Sequence, residues 1–310
     1  MLINNYLTTS VLLLASLASA APKIPGYELQ WSDDFNGKKN SLPSSKNWII
    51  DQGTSYPGGP ANWGTGEIET YTNSPTNVAL DGKGHLLITP RKSETGAWTS
   101  ARIETVRTSF AAPKHGRMIV QASIALPNHN AAQSQGIWPA FWMLGGKYRG
   151  NYQNWPGKRE DCEQPAFQAD ANLDFTAVGE FDIMENVNGV NQAFGTLHCG
   201  VSPGGVCQET NGLGSSLTPS KGALQGKYHT YGITVDTKSN PQSLTWSLDG
   251  QVFQTITNNS LGAATWKEAV LDSKFILLNV AVGGGWPGLP NEQTASGVPM
   301  KVDYVGVYYG

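Results

Sequence analysis

Hydrophobic and polar residues alternate along many short segments of the chain, with Gly, Pro, Asn and Asp clustered between the segments. A period of two places every second side chain on the same face of a β-strand. The segments with this pattern are 27–31, 68–71, 86–89, 116–126, 138–144, 180–185, 194–198, 231–235, 244–248, 251–256, 275–282 and 302–309. One short helix is predicted at 265–271. The pattern therefore predicts an all-β fold, an antiparallel β-sandwich of the jelly-roll type.

The segment 180–185 carries three carboxylates, those of Glu180, Asp182 and Glu185. Strict alternation places Glu180 and Asp182 on one face of the strand and Glu185 on the other. A β-bulge at Met184, where two residues oppose one on the neighbouring strand, returns Glu185 to the face of Glu180. Carboxylates on one face repel each other, so the segment is either a solvated acidic face or a site that uses the charges.

The spacing of the two glutamates suits cleavage of a glycosidic bond. Their Cα atoms are separated by about 13 Å along the strand, and inclined side chains bring the carboxyl groups to about 5–6 Å. That separation is typical of retaining glycosidases, in which one carboxylate is the nucleophile and the other the acid/base. Asp182 would hydrogen-bond to the nucleophile. Because three close carboxyl groups cannot all ionise, at least one pKa rises, and we expect Glu185 to be the protonated partner.

Several polar and aromatic residues outside this strand could contact a sugar. The candidates for substrate binding are Trp138, Trp142, His198, Trp286, Glu67 and Arg102. Trp138 and Trp142 share a strand face, and the small residue between them leaves space for a pyranose ring; ordinary core tryptophans are the alternative. His198 either donates a hydrogen bond in the site or is structural. Trp286 ends a glycine-rich loop expected at the rim, and a solvated sheet edge explains Glu67 equally well.

Composition and charge exclude several classes of function. The chain has 310 residues with 36 Gly, 18 Pro and 15% charged residues, which is typical of a turn-rich protein. A formal net charge of −3 offers no basic patch to nucleic acid or to a membrane surface. We therefore expect neither nucleic-acid binding nor membrane insertion. Residues 21–310 contain no linker and no repeat, which predicts one catalytic domain, and we expect a monomer.

The N-terminal residues have the features of a secretory signal peptide at 1–20. A short apolar run is followed by Ala18-Ser19-Ala20, whose small side chains suit cleavage. We therefore expect a secreted protein, extracellular or in the cell wall. In a secreted chain, Cys199 and Cys207 could close a small disulfide loop. Asn258 begins an Asn-Asn-Ser glycosylation sequon, which is used only in a eukaryotic host.

The segment 180–185 resembles the E-x-D-x-x-E signature of glycoside hydrolase family 16, in its bulged, laminarinase-like branch. The resemblance extends in the family's order over 31–35, 138–144, 195–198, 278–284 and 302–305. It implies a jelly roll like that of the concanavalin-type lectins. It also implies that Glu180 is the nucleophile, Glu185 the acid/base and Asp182 an assisting carboxylate. Trp138, Trp142 and His198 would then line the cleft.

The same resemblance bears on metal binding. Many members of the family hold a structural calcium ion, and Asp34 and Asp303 occupy the corresponding positions, although Asp34 stands where glutamate is common. No cofactor is required for catalysis by the two glutamates.

Taken together, the resemblance implies a secreted retaining endo-β-glycosidase that hydrolyses β-1,3-glucan, either of the laminarin type or with mixed β-1,3/1,4 linkages. An endo-β-1,3-galactanase acting on arabinogalactan and a cell-wall transglycosylase would use the same carboxylates. A carbohydrate-binding lectin is the alternative without catalysis, and the intact set of three carboxylates argues against it.

Overall fold

The computed structural model describes residues 20–150, 178–220 and 222–310, so the predicted signal peptide lies outside the described residues except for Ala20. The strands of the described residues are β1 Glu28–Asp33, β2 Trp48–Asp51, β3 Thr70–Tyr71, β4 Val78–Leu80, β5 Leu86–Ile88, β6 Arg91–Lys92, β7 Trp98–Ser100, β8 Arg102–Thr105, β9 Arg117–Ala125, β10 Ile137–Gly145, β11 Glu180–Glu185, β12 Ala193–His198, β13 Leu213–Leu217, β14 Tyr228–Asp236, β15 Ser243–Leu248, β16 Gln251–Thr257, β17 Lys274–Val282 and β18 Met300–Tyr309. Short helical turns lie at Ala61–Gly64, Ala131–Gln133, Gly146–Tyr148, Asn258–Leu261, Ala263–Trp266 and Lys267–Leu271.

The strands form two large antiparallel sheets and one small sheet. The first sheet has the order β16-β15-β14-β9-β18-β5-β4, with β1 also paired to β18. The second sheet, which contains the acidic strand, has the order β13-β12-β11-β10-β17-β8-β2. The small sheet consists of β3, β7 and β6. The prediction of an all-β antiparallel sandwich is confirmed.

The two large sheets pack their apolar faces against each other. Val120 and Val307 of the first sheet lie in the same buried core as Phe141 and Ile183 of the second. Burying an aliphatic or aromatic side chain of this size contributes roughly 1.5–3 kcal/mol, so this shared core holds the sheets together. A second cluster, which we call the aromatic cluster, covers part of the other face of the second sheet. Its rings belong to Tyr56, Trp63, Tyr71, Trp142, Tyr148 and Phe275.

Local turn chemistry explains one hairpin, and the start of the predicted helix differs from that observed. The β15–β16 hairpin turns at Asp249 and Gly250, whose φ values of 50° and 78° are those of a type I′ turn, in which Asp-Gly is favoured. The predicted start of the helix at Thr265 is wrong, because the helical turns begin at Asn258. Gly262 lies between the first two turns with φ 76°, which restarts the helix ahead of Thr265.

Asp34 and Asp303 lie on paired elements of the first sheet. Asp34 follows β1, Asp303 lies in β18, and these two strands are hydrogen-bonded to each other. One carboxylate oxygen of Asp34 accepts a hydrogen bond from the backbone N–H of Ala21 at 2.8 Å. Within the described residues, neither aspartate belongs to a group of three or more acidic, His or Cys side chains with the spacing of metal ligands. Calcium binding there stays a prediction.

Two further features concern the surface and the membrane. Asn258, the first residue of its helical turn, is half-buried, and its glycosylation stays a prediction. Within the described ranges, no helix is both long enough and apolar enough to cross a membrane.

Candidate active site

The acidic strand β11 contains the predicted bulge. Ile183 and Met184 together oppose Gly195 of β12, whereas the pairing is regular on either side of them. Both Ile183 and Met184 are buried in the core between the sheets. Because two consecutive residues point inward, Asp182 and Glu185 come out on the same face. The bulge predicted at Met184 is confirmed.

The neighbours of the bulge explain why it is stable. The interrupted ladder leaves the backbone carbonyl of Asp182 available, and the indole Nε1 of Trp246 donates to it at 2.8 Å from the other sheet. A Cβ atom at Gly195 would lie only 2.5 Å from Cδ1 of Trp246. Glycine at this position therefore leaves the space that the indole occupies.

The three carboxylates form part of the lining of an open cleft of about 790 Å³. Glu180, Asp182 and Glu185 are only 5%, 4% and 9% exposed, so their carboxyl groups are largely desolvated. The cleft is also lined by residues that the sequence analysis did not single out, namely Thr65, Phe194, Thr210, Asn211, Ser215 and Ser216. Phe194 could have been found, because it alternates with Thr196 and His198 along β12.

Aromatic side chains form one wall of the cleft. Trp138 donates its indole N–H to Oε1 of Glu185 at 3.0 Å. Trp286 is 45% exposed at the rim, and its ring contacts those of Trp138 and Phe194 edge-on, with centroids 5.7 and 5.1 Å apart. Edge-on contacts of this kind fix the ring orientation. Trp138 and Trp286 therefore line the cleft, as predicted from the sequence, and their contact with a sugar stays a prediction.

His198 lies in the cleft between two acidic side chains. Its Nε2 is 3.4 Å from Oδ2 of Asp182. Its Nδ1–H donates to Oε2 of Glu209 at 2.9 Å, and the other oxygen of Glu209 accepts the backbone N–H of Cys199 at 2.8 Å. Cys199 and Cys207 form the predicted disulfide. Glu209 was missed, because nothing in the strand pattern indicates which side chain of a loop turns inward.

Burial raises the pKa values of all three carboxyl groups, and repulsion by neighbouring carboxylates adds to the shift at Glu180 and Asp182. Burial, with the negative charge of Glu185, raises the pKa of Glu180 to about 7. Burial and the charges of Glu185 and Glu180 raise the pKa of Asp182 well above its ordinary value. Burial also raises the pKa of Glu185. The prediction that at least one pKa rises is in line with these shifts, and the raised pKa of Glu185 suits the expected protonated partner.

The pKa of His198 is raised, as expected for a histidine among acidic side chains. Burial alone would lower the pKa of His198, but its hydrogen bond to Glu209 and the charges of Asp182 and Glu180 raise it to about 10. His198 is therefore a cation at neutral pH. Glu180, Asp182 and His198 are close enough to bind a metal ion, with ligand atoms within 4.8 Å of one another. A protonated imidazole has no free lone pair, so the arrangement is that of an ion pair.

Trp142 lies beneath the main cleft and does not line it, and its contact with a sugar stays a prediction. It lies on the same strand face as Trp138, as predicted, but the aromatic cluster covers it and leaves it 4% exposed. Its Nε1 donates to Oδ1 of Asn279 at 2.8 Å. Trp142 borders a smaller recess of about 40 Å³ that adjoins the carboxylates.

Glu67 and Arg102 border the same recess and are also held by protein groups. Glu67, only 5% exposed, accepts hydrogen bonds from the hydroxyls of Thr65 and Tyr71, both at 2.7 Å, so a solvated edge does not describe it. Arg102 is 1% exposed, and its Nε lies 3.2 Å from Oδ2 of Asp51. Its guanidinium group lies within 5.0 Å of the ring centroids of three members of the aromatic cluster. The positive charge of Arg102 lowers the pKa of Glu180, so it acts electrostatically from behind the site.

No protein-family model matches the chain. Among solved structures, the endo-1,3-β-glucanase of Streptomyces sioyaensis is 46% identical, with a TM-score of 0.85 over 94% of this chain and 99% of that one. The chain belongs to glycoside hydrolase family 16, in its laminarinase-like branch. A second structure similar to this family 16 chain, the endo-β-1,3-glucanase of Pyrococcus furiosus, is 30% identical, with a TM-score of 0.69 over 91% of this chain and 94% of that one.

Curated relatives of the family 16 chain agree with this assignment. The β-glucanase of Rhodothermus marinus is 29% identical over 309 residues, which cover 96% of this chain and 92% of the relative. The chain spans only 34% of the clotting factor G alpha subunit of Tachypleus tridentatus, at 27% identity. It spans 38% of the glucan endo-1,3-β-glucosidase A1 of Niallia circulans, at 31% identity.

Proposed function

We propose that this family 16 glycoside hydrolase is a secreted endo-β-glycosidase that hydrolyses β-1,3-glucan and retains the anomeric configuration. The observation that carries the proposal is the bulge in β11, which brings Glu180, Asp182 and Glu185 to one face in an open cleft. The names of the relatives, endo-1,3-β-glucanase and β-glucanase, support glucan as the substrate. The Cys199–Cys207 disulfide supports an oxidising, extracellular location.

The proposed reaction is a double displacement. The ionised carboxylate of Glu180 attacks the anomeric carbon, while the protonated Glu185 gives its proton to the glycosidic oxygen as that bond breaks. The products of this step are a glycosyl ester on Glu180 and a free sugar hydroxyl. Glu185, now ionised, takes a proton from water, and the water oxygen replaces Glu180 at the anomeric carbon. Both glutamates return to their initial protonation states.

The surrounding groups act on both glutamates. Burial raises the pKa of Glu180 to about 7, and the positive charges of His198 and Arg102 oppose this shift, which supports an ionised nucleophile above that pH. The raised pKa of Glu185 favours the protonated acid. Asp182 lies between them in β11, and burial with the charges of both glutamates raises its pKa well above the ordinary value.

Release of new reducing ends tests the proposal. Purified protein is incubated with laminarin, lichenan and a debranched β-1,3-galactan, alongside Glu180→Gln and Glu185→Gln. We expect cleavage of laminarin by the wild type and loss of nearly all activity in both variants, with unchanged melting temperatures. Glu94→Gln, at an exposed turn position, is the matched control.

The outcome on each polysaccharide separates the alternatives. Cleavage of the galactan in place of both glucans would identify an endo-β-1,3-galactanase, and longer oligosaccharides formed on an added acceptor would identify a transglycosylase. Binding without cleavage of any of the three would indicate a lectin. Substantial activity in purified Glu180→Gln or Glu185→Gln would refute the assigned roles.

A further inference from the structure

Glu209 makes two contacts that link the disulfide loop to the catalytic strand. One oxygen accepts the backbone N–H of Cys199 at 2.8 Å, which fixes the carboxylate at the base of the loop. The other accepts Nδ1–H of His198 at 2.9 Å, and the opposite nitrogen of that ring lies 3.4 Å from Asp182. The side chain of Glu209 is 2% exposed, so neither contact is shared with bulk solvent.

We propose that Glu209 is a positioning residue, which holds His198 in its cationic form and aims the ring at Asp182 beside the nucleophile. This inference rests on the proposed glycosidase function. Glu209 does not line the cleft itself, so its effect on the reaction passes through His198.

The charge of His198 depends on the groups that face it. Asp182 and Glu180 face the ring from β11, and Glu209 faces it from the loop, whereas β13 carries no titratable residue. Nδ1–H donates to Glu209, so Nε2 faces the carboxyl group of Asp182. A proton on Nε2 is favoured there, because the lone pair of an unprotonated Nε2 would be repelled by the carboxylate oxygen. A carboxylate within hydrogen-bond distance is expected to raise a histidine pKa by about 1–3 units. Glu209 is the only one of the three acidic groups that is not part of the proposed reaction.

The disulfide loop keeps Glu209 in place and also reaches the substrate side. Cys199 and Cys207 close the loop, and Glu209 follows two residues later. The next two residues, Thr210 and Asn211, line the cleft. Gly212 has φ 71°, and a Cβ atom there would lie 2.9 Å from two atoms of the His198 ring. The chain therefore passes directly against His198 on its way from the disulfide to β13.

An NMR titration of His198 is the first test, because it does not depend on turnover. Wild type, Glu209→Gln and the control Glu94→Gln are titrated, and the signal of His198 among the five histidines is assigned with His198→Gln. The amide oxygen introduced by Glu209→Gln can still accept the N–H of Cys199 but carries no charge, so the loop keeps an anchor. We expect the pKa of His198, about 10 in the wild type, to fall by about 1 unit or more in Glu209→Gln. An unchanged titration would overturn the inference.

The pH dependence of kcat/KM is the second test. Negative charge on Glu209 raises the pKa of Glu180, so its removal moves the acidic limb of the profile to lower pH while His198 is still charged. On the alkaline side, the limb is set by Glu185, whose pKa responds to His198 and Trp138, so it stays in place while His198 is charged. We expect a shift of the acidic limb alone by about 1 unit, and Glu209→Asp, which keeps the charge, is expected to restore part of it. A merely structural role for Glu209 would lower activity equally at every pH and contradict the inference.

The disulfide provides an independent variant. Cys199→Ser with Cys207→Ser frees the loop but leaves Glu209 intact, and we expect the His198 pKa and the acidic limb to move in the same direction as in Glu209→Gln. A wild-type acidic limb and a wild-type His198 pKa in this double variant would remove the loop from the proposal. If the wild type cleaves no glucan or galactan, the proposed function fails, whereas the NMR titration still decides the role of Glu209.

Discussion

The indole N–H of Trp246 donates to the backbone carbonyl of Asp182 at 2.8 Å, from the first sheet of the sandwich to the second. Asp182 is the residue at which the regular pairing of β11 with β12 stops. A buried carbonyl left without a donor costs about 1–3 kcal/mol, so the bulge needs a donor from outside its own sheet. One buried tryptophan in the opposite sheet therefore supports the arrangement of the three carboxylates.

Replacing this donor is predicted to affect both stability and catalysis. Trp246→Phe keeps an aromatic ring but leaves the carbonyl of Asp182 unpaired, so we expect a loss of about 1–3 kcal/mol in the free energy of unfolding and a lower kcat. Urea unfolding and laminarin hydrolysis measure the two effects. Trp266→Phe is the control, since its buried indole N–H donates to Gln242 at 2.7 Å. It should lose stability but retain kcat; an equal kcat in Trp246→Phe and wild type would contradict the prediction.

Gly195→Ala is predicted to disturb the bulge from the opposite side. The new methyl group would lie 2.5 Å from Cδ1 of Trp246 and 3.0 Å from Cζ of Phe253, so the indole must move. Overpacking of this kind costs about 1–3 kcal/mol. A double-mutant cycle with Trp246→Leu checks the cause, because the smaller side chain should relieve much of the cost. Additive free energies in that cycle would show that the clash with Trp246 is not responsible.

Trp138→Phe is predicted to shift the basic limb of the pH profile. The indole N–H donates to Glu185 at 3.0 Å and lowers the pKa of that carboxyl group. Removing the donor raises the pKa of Glu185, which then stays protonated to higher pH. Since the acid/base must begin protonated, the basic limb of kcat/KM should move to higher pH. Trp31→Phe, in β1 of the other sheet, should leave the basic limb in place. If the limb is also unmoved in Trp138→Phe, the indole of Trp138 does not influence the pKa of Glu185.

Lys274 is predicted to make the free energy of unfolding depend on pH between about 7 and 10.5. It is 1% exposed, its ammonium donates to the carbonyl of Val178 at 3.2 Å, and burial lowers its pKa from 10.5 to about 7. Between pH 7 and 10.5 the unfolded chain binds more protons at this residue than the folded chain, so the folded state gains stability as pH rises. Lys274→Met removes this dependence.

Melting temperatures of wild type and Lys274→Met across that range test the point. The variant should gain on the wild type as the pH falls from 10 toward 7, in proportion to about 1.4 kcal/mol for each unit of pKa shift. A difference between the two proteins that does not change with pH would show that the lysine does not titrate in this window.

Much of the acidic strand could be predicted because its pattern contains a contradiction. Three carboxylates on one face and two consecutive inward residues, Ile183 and Met184, cannot satisfy a period of two, and one bulge resolves the conflict. The sandwich could be predicted equally well, because β9, β17 and β18 are nine or more residues long and consist mostly of apolar residues.

The burial of individual side chains and the contacts made by loops could not be predicted in the same way. Periodicity assigned Trp142 to the correct face but could not show that distant residues such as Tyr56 and Trp63 would cover it. The same limit applies to Arg102, whose buried partners come from other segments. Glu209 lies in a loop, where no period relates sequence position to direction, and its pairing with His198 depends on how the disulfide loop folds back.

Labelling of the nucleophile tests the central claim most directly. A 2-deoxy-2-fluoro laminaribiosyl fluoride slows hydrolysis of the glycosyl-enzyme, so the ester accumulates and peptide mass spectrometry can locate it. We predict a single glycosyl adduct on Glu180, with no adduct in Glu180→Gln. An adduct on Glu185, or glucan hydrolysis with inversion and no adduct at all, would contradict the account.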